Sequence, residues 1–251
     1  MTFLSGPLPR IIAHRGLATE APENTLLAFL RALAAGATHL ETDVHATADG
    51  VAVISHDADL QSAVGRSVRV DQLTMAELRR LDLGADQSFC SLADALDAFP
   101  EARFNIDIKD ARAAEPAAQA ILATRATDRV LITSFDERRR RAAVEALPGV
   151  ASSASVSRFL PALLAAKAGL TPLVRRSLRG LVAVQVPERA TFVRLVTGRT
   201  IDVLHAAGVE VHVWTVNDPA TMTRLLDLGV DGLVTDRCDT LKALVESRIR
   251  P

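Results

Sequence analysis

The chain has 251 residues, a length that suits one α/β barrel domain spanning 1–251, and 49% of them are hydrophobic, enough for a sizeable core. Aromatics are scarce, with eight Phe, one Trp and no Tyr, so that core must be aliphatic and alanine-rich. A net charge of −1 gives no overall electrostatic footprint for nucleic acid or an anionic membrane. The opening "MTFLSGPLPR" lacks the basic start and apolar run of a signal peptide, and no stretch reads as a bilayer span. Cys90 and Cys238 have no paired spacing and fit a reducing compartment, so a cytoplasmic chain without stable membrane insertion is expected.

Taken in chain order, apolar β-rich runs are expected at Arg10–Ala13, His39–His45, Val51–Ser55, Arg103–Lys109, Val130–Ser134, Gly149–Ala154, Leu181–Val186, Val209–Thr215 and Gly232–Thr235. Between most of them lie helical stretches such as "NTLLAFLRALAAG", "EPAAQAILATRA", "DERRRRAAVEAL" and "PATMTRLLDLG". The four arginines of "DERRRRAAVEAL" read as a solvated helix face. This alternation predicts a parallel sheet, because parallel strands need crossover helices. Three joints, Ala32–Asp43, Leu204–Thr215 and Leu225–Asp236, each run helix, Gly, strand, with the glycine ending the helix. They look like one βα unit reused around a closed barrel. Residues 46–88 interrupt the rhythm and read as an insertion after the second barrel strand. Residues Ala151–Arg179, Ser-rich and then basic, show no clear period.

The polar residues of two strands carry the chemistry. In "HLETDVH", Leu40, Thr42 and Val44 share one face, while His39, Glu41, Asp43 and His45 share the other. In "FNIDIKD", Asn105, Asp107 and Lys109 lie opposite Phe104, Ile106 and Ile108. A barrel's outer strand face is covered by helices, so the polar faces must turn inward. Glu41, Asp43 and Asp107 then gather where water is scarce, a costly arrangement without a counter-charge. An all-oxygen set of this kind favours Mg²⁺, Ca²⁺ or Mn²⁺ over zinc. The alternative is an internal salt-bridge network in which Lys109 neutralises one acid.

His14 after "RIIA" and His56 after "VAVIS" each end an apolar strand, the end at which barrel enzymes collect catalytic groups. A pair of imidazoles suits proton transfer near neutral pH. Arg15 offers a bidentate donor fork to an anion and Lys109 a point charge. Together these groups describe a phosphoryl-transfer site. Gly16 lets the backbone turn after Arg15, Pro22 restrains the loop, and Asn24 is expected to cap the next helix.

The succession His-Arg-Gly, Pro-Glu-Asn-Thr, Glu-x-Asp-Val, Thr-x-Asp-Gly, His-Asp, Asn-Ile-x-Ile-Lys, Val-Trp-Thr-Val-Asn and Gly-Val-Asp-Gly-x-x-Thr-Asp, from Ile11 to Asp236, resembles the glycerophosphodiester phosphodiesterases. That resemblance implies a (β/α)8 TIM barrel with a small insertion after the second strand. It implies metal-dependent hydrolysis of a small-molecule glycerophosphodiester to sn-glycerol 3-phosphate and an alcohol. By position, His14 looks like the general base and His56 the general acid. Glu41, Asp43 and Asp107 look like ligands of a divalent cation, Mg²⁺ or Ca²⁺ with Mn²⁺ as a further option. Arg15 and Lys109 look like phosphate contacts, and Trp214 like an apolar wall near the glycerol end. The family's third metal ligand is usually Glu, where this chain has Asp107. The family often carries an uncharged residue where His45 stands, and Gln61 and Ser62 follow "HDADL" where an Arg is common. A lysophospholipase D-like activity on the same site is the alternative, with Ala151–Arg179 as the stretch that would supply an apolar lip.

Overall fold

A computed structural model describes residues 2–249. Eight parallel strands form its centre: β1 (Arg10–Ala13), β2 (His39–Ala46), β3 (Phe104–Ile108), β4 (Val130–Thr133), β5 (Ala151–Ser152), β6 (Ala183–Pro187), β7 (Glu210–Trp214) and β8 (Gly232–Thr235). They neighbour one another in chain order, and β8 returns to pair with β1. The remaining seam, β5 to β6, is joined by a parallel bridge between Ser153 and Ala183, with Ala154 N–H donating to the Ala183 carbonyl at 3.0 Å. The expected (β/α)8 barrel is the fold of the chain.

Its strands are short, buried runs of Ile, Val, Leu and Ala whose outward side chains pack under the helix ring. Leu40, Val44, Ile106 and Ile108 are fully buried, and Phe29 of helix Leu26–Ala34 meets Phe104 edge-on at 5.8 Å. The glycines of the three helix–strand joints, Gly36, Gly208 and Gly229, all have φ between 82° and 94°. The expected fifth strand shrinks to Ala151–Ser152. The sequence after it, which lacks a readable period, forms helices Val156–Lys167 and Thr171–Ser177.

Between β2 and helix Leu92–Ala98 the chain makes a strand, Ala52–Ile54, antiparallel to β2, then short helical turns and a two-stranded ribbon, Asp82–Gly84 with Gln87–Ser88. This excursion has a small core of its own, including Val53, Leu60, Val70, Leu78 and Phe89. It brings His56 over the C-terminal end of the barrel strands.

The two ends of the barrel treat buried polar groups differently. At the N-terminal end, Arg10 donates two bonds to Glu210, at 2.9 and 3.3 Å, and others to carbonyls of residues 4–7. His39 Nε2 donates to the Phe3 carbonyl at 2.8 Å, and His212 pairs with Glu210 at 3.0 Å. The charges there are matched. At the C-terminal end they are not, and a cavity opens.

Candidate active site

Strand register assembles the acids. Parallel pairing of β2 with β3 sets Glu41 beside Asn105 and Asp43 beside Asp107. The period-two alternation of both strands turns all four inward, where they are buried. Lys109, one residue beyond β3, places Nζ 2.9 Å from Asp43 Oδ1 and 2.7 Å from Asp107 Oδ2. Arg15 Nε lies 3.3 Å from Asp43 Oδ2, while its Nη1 reaches Glu23 at 2.8 Å. Glu41 accepts only the Arg15 backbone N–H, at 3.1 Å, among the described residues. Burial, reinforced by the charges of Asp43 and Asp107, pushes the Glu41 carboxyl well above its usual range. Asp107 is raised as well, first by burial and despite Lys109.

These residues fit a hard cation. Three carboxylates face two cationic side chains, and the buried oxygens Asn105 Oδ1 and Asp107 Oδ1 have no hydrogen-bond partner among the described residues. Among the described residues no three ligand-type side chains yet close on one point. Lys109 stands between Asp43 and Asp107, so the salt-bridge contact foreseen as an alternative is present. Among the described residues it leaves Glu41 without a cationic partner, and that residual oxygen-rich deficit is the kind a divalent ion fills.

The two histidines are each held from behind by a carboxylate. His14 follows β1, and Asp236 follows β8. Because Ala13 pairs with Thr235, closure of the barrel sets the next residues side by side, with His14 Nδ1 2.7 Å from Asp236 Oδ1. His56 Nδ1 lies 2.8 Å from Asp57 Oδ1. An ionised carboxylate only accepts, so each Nδ1 carries the proton and each Nε2 is left for chemistry. The bond from His14, together with Asn217 Nδ2 at 2.6 Å, holds Asp236 below the usual carboxylate range. Burial works against ionisation of Asp57, but bonds from His56 and Ser62 outweigh it and lower it. His45 donates from Nε2 to the His56 carbonyl at 3.1 Å, and so braces the loop that carries His56.

The His-Arg-Gly turn is shaped by backbone as much as by side chains. Arg15 has φ 55° and Gly16 φ 87°. A Cβ on Gly16 would come within 2.7 Å of the Ala28 backbone, so no larger residue fits. One expectation is corrected here: Asn24 does not cap helix Leu26–Ala34. Thr25 does, its hydroxyl accepting from Ala28 N–H at 3.2 Å. Asn24, held at φ 58°, instead donates from Nδ2 to Asp43 at 3.2 Å and accepts from the Thr42 hydroxyl at 2.8 Å. Its short amide is spent on orienting a site carboxylate.

One cavity of about 500 Å³ is lined by His14, Arg15, Glu41, Asp43, His56, Asp107, Lys109 and Trp214, all eight residues singled out in the sequence. Asn105, Thr133, Ser134 and Gln185 add polar lining. The opposite wall is apolar: Phe135, Val156, Phe159, Leu160, Leu163 and Leu195. Trp214 meets Phe135 edge-on at 5.8 Å, which fixes its indole at the mouth. The orienting residues Asp57, Asp236, Asn24 and Asn217 received no such role in the sequence. Asp57 and Asp236 sit inside the His-Asp and Thr-Asp motifs, which could have pointed to them.

Comparison with known proteins places the chain in one family. The Glycerophosphoryl diester phosphodiesterase family matches residues 14–240. The chain is 45% identical over 239 residues to "Probable glycerophosphodiester phosphodiesterase 2" of Mycobacterium tuberculosis, covering 94% of this chain and 90% of that one. It is 29% identical to lysophospholipase D GDPD1 of Mus musculus, over 94% of this chain and 85% of the relative. Its fold matches a phosphodiesterase of Oleispira antarctica, solved with the product sn-glycerol 3-phosphate, at a TM-score of 0.80 and 23% identity, covering 95% of this chain and 97% of that one. The chain therefore belongs to the glycerophosphoryl diester phosphodiesterase family of enzymes.

Proposed function

We propose that this enzyme hydrolyses glycerophosphodiesters to sn-glycerol 3-phosphate and an alcohol by acid–base catalysis between His14 and His56. The observation that carries the reading is the pair of carboxylate-held imidazoles lining one cavity with three acids, an arginine and a lysine. His14 Nε2 takes the proton of the attacking group, either water or the glycerol 2-hydroxyl, the latter forming a cyclic phosphate that water then opens to glycerol 3-phosphate. His56, charged before the step, gives its Nε2 proton to the departing alkoxide as the P–O bond breaks. Asp236 and Asp57 keep each ring in the tautomer this needs and stabilise the imidazolium form. Arg15 and Lys109 set positive charge against the non-bridging oxygens. Trp214 walls the glycerol end.

Glu41, Asp43 and Asp107 are the residues that would hold a divalent cation, Mg²⁺ or Ca²⁺, with Mn²⁺ a third hard ion of the same type. When bound, such an ion screens the charge that builds on the phosphoryl oxygens. Glycerophosphocholine assayed for glycerol 3-phosphate release tests the whole reading. Activity that is lost on chelation and restored by Mg²⁺ or Ca²⁺ is expected. Calorimetry supplies a readout independent of turnover: titration of either ion into the apo protein gives heat that E41Q abolishes. Full activity after exhaustive chelation would remove the cation from the account.

A second reading, lysophospholipase D-like action on the same site, is favoured by the apolar wall of Val156, Phe159, Leu160 and Leu163. It is a wall from the Ala151–Arg179 stretch, against which an acyl chain would lie. Comparing kcat/KM on glycerophosphocholine and lysophosphatidylcholine separates the two readings.

A further inference from the structure

The solvent face of helix Val156–Lys167 is built backwards. A surface helix normally turns charged residues outward. Here Val156, Leu160 and Leu164, at successive i+4 positions, are exposed, at 55, 54 and 64%. Two of them also line the mouth of the cavity. Phe135 joins them there from just beyond β4, 56% exposed and edge-on to Trp214. A third segment contributes a hairpin, Arg189–Ala190 paired with Val193–Arg194, whose Ala190 lines the same cavity. At its two-residue tip Phe192 is 98% exposed, with Arg189 and Arg194 at the hairpin's base. Six of the eleven large exposed hydrophobic residues among those described, Phe135, Val156, Leu160, Leu164, Phe192 and Val193, sit on these segments. Exposed apolar groups clustered in this way mark an interaction surface.

The charge of the same stretch identifies the partner. From Ala146 to Ile201 the chain carries eight Lys or Arg and one acidic residue, Glu188. Glu188 is itself engaged by Arg224 at 2.7 Å and Arg189 at 3.7 Å. The net charge of −1 for the whole protein averages away this asymmetry along the sequence. The exposed Arg189 and Arg194 flanking the protruding Phe192 match a lipid surface that bears anionic headgroups. No helix among the described residues is long and apolar enough to cross a membrane, so the association is peripheral.

We propose that the rim of the cavity docks on an anionic lipid surface, with Phe192 and the Val156–Leu160–Leu164 face entering the interface and the arginines lying over the headgroups. The catalytic mouth then opens against the bilayer. The proposal does not rest on the catalytic reading, because binding is measured without turnover.

The test is sedimentation with phosphatidylcholine vesicles, with and without phosphatidylglycerol, comparing the wild-type protein with F192S/L164S. Neither substituted residue lines the cavity, and both are exposed, so circular dichroism and turnover of soluble glycerophosphocholine should match wild type. The wild-type protein is expected to partition onto phosphatidylglycerol vesicles, less so as salt is raised, and the variant at least about tenfold more weakly. A wild-type protein that sediments with neither vesicle, or a variant that binds as well as wild type, overturns the proposal. So does light scattering of a stable dimer that the two substitutions split, which would assign the face to a second copy of the chain.

Discussion

At the scale of the residue, the site depends on the groups behind its histidines. Asp236 meets His14 by one 2.7 Å contact, and D236N preserves its shape while offering an amide that can donate to Nδ1. The ring proton then moves to Nε2, and His14 loses its capacity as a base. A fall in kcat on the order of a hundredfold with KM nearly unchanged is expected for D236N, read from steady-state kinetics on glycerophosphocholine. An unchanged kcat would leave Asp236 a structural role only. His14, His56, the three acids and the two cations were legible because strand periodicity and strand ends are local properties. Asp236 was not, because its nearness to His14 exists only once the last strand pairs with the first. Asn24 departs from its expected role for a related reason: its local preference for a cap competes with a buried carboxylate 19 positions away, and the carboxylate wins.

At the scale of the element, the turn after β1 has little freedom. Gly16 combines a left-handed φ with a closest approach to the Ala28 backbone, so a methyl group there must displace helix Leu26–Ala34. G16A is expected to lower stability by about 1–3 kcal/mol and to lower kcat by moving His14, measured by urea unfolding alongside turnover. T25A, which removes the cap and leaves the turn intact, should cost about 1 kcal/mol with little change in kcat. Equal behaviour of the two variants would contradict the assignment of the turn to catalysis. The barrel strands were readable from their apolar runs, and so were most crossover helices. Helix Val156–Lys167 was not, because its solvent face carries Val156, Leu160, Pro161 and Leu164, which erases the polar half of the amphipathic pattern.

At the scale of the molecule, one barrel carries matched charges at its N-terminal end and unmatched ones at its C-terminal end, the division between stability and chemistry that parallel barrels exploit. Glu210 records the first. Burial opposes its ionisation, but bonds from His212 and Arg10 outweigh that and lower it to about 2. Its stabilisation is fully present above the unfolded pKa of about 4.5 and is lost as pH falls toward 2, about 3 kcal/mol in all. Denaturation midpoints taken between those limits should fall steeply for the wild-type protein and less so for E210Q. Parallel slopes would show that the cluster contributes nothing pH-dependent.

The unmatched end is the proposed seat of the reaction, and the identity of its acid is the most direct test of the account. The measurement is the turnover of H14A and H56A on two glycerophosphodiesters, one with choline and one with nitrophenol as the leaving group. A nitrophenolate departs without a proton, so H56A should be strongly impaired, on the order of a hundredfold or more, only on the choline diester. H14A should be impaired on both. An H56A enzyme equally slow on both substrates, or as fast as wild type on the choline diester, would contradict the assignment of His56 as the proton donor.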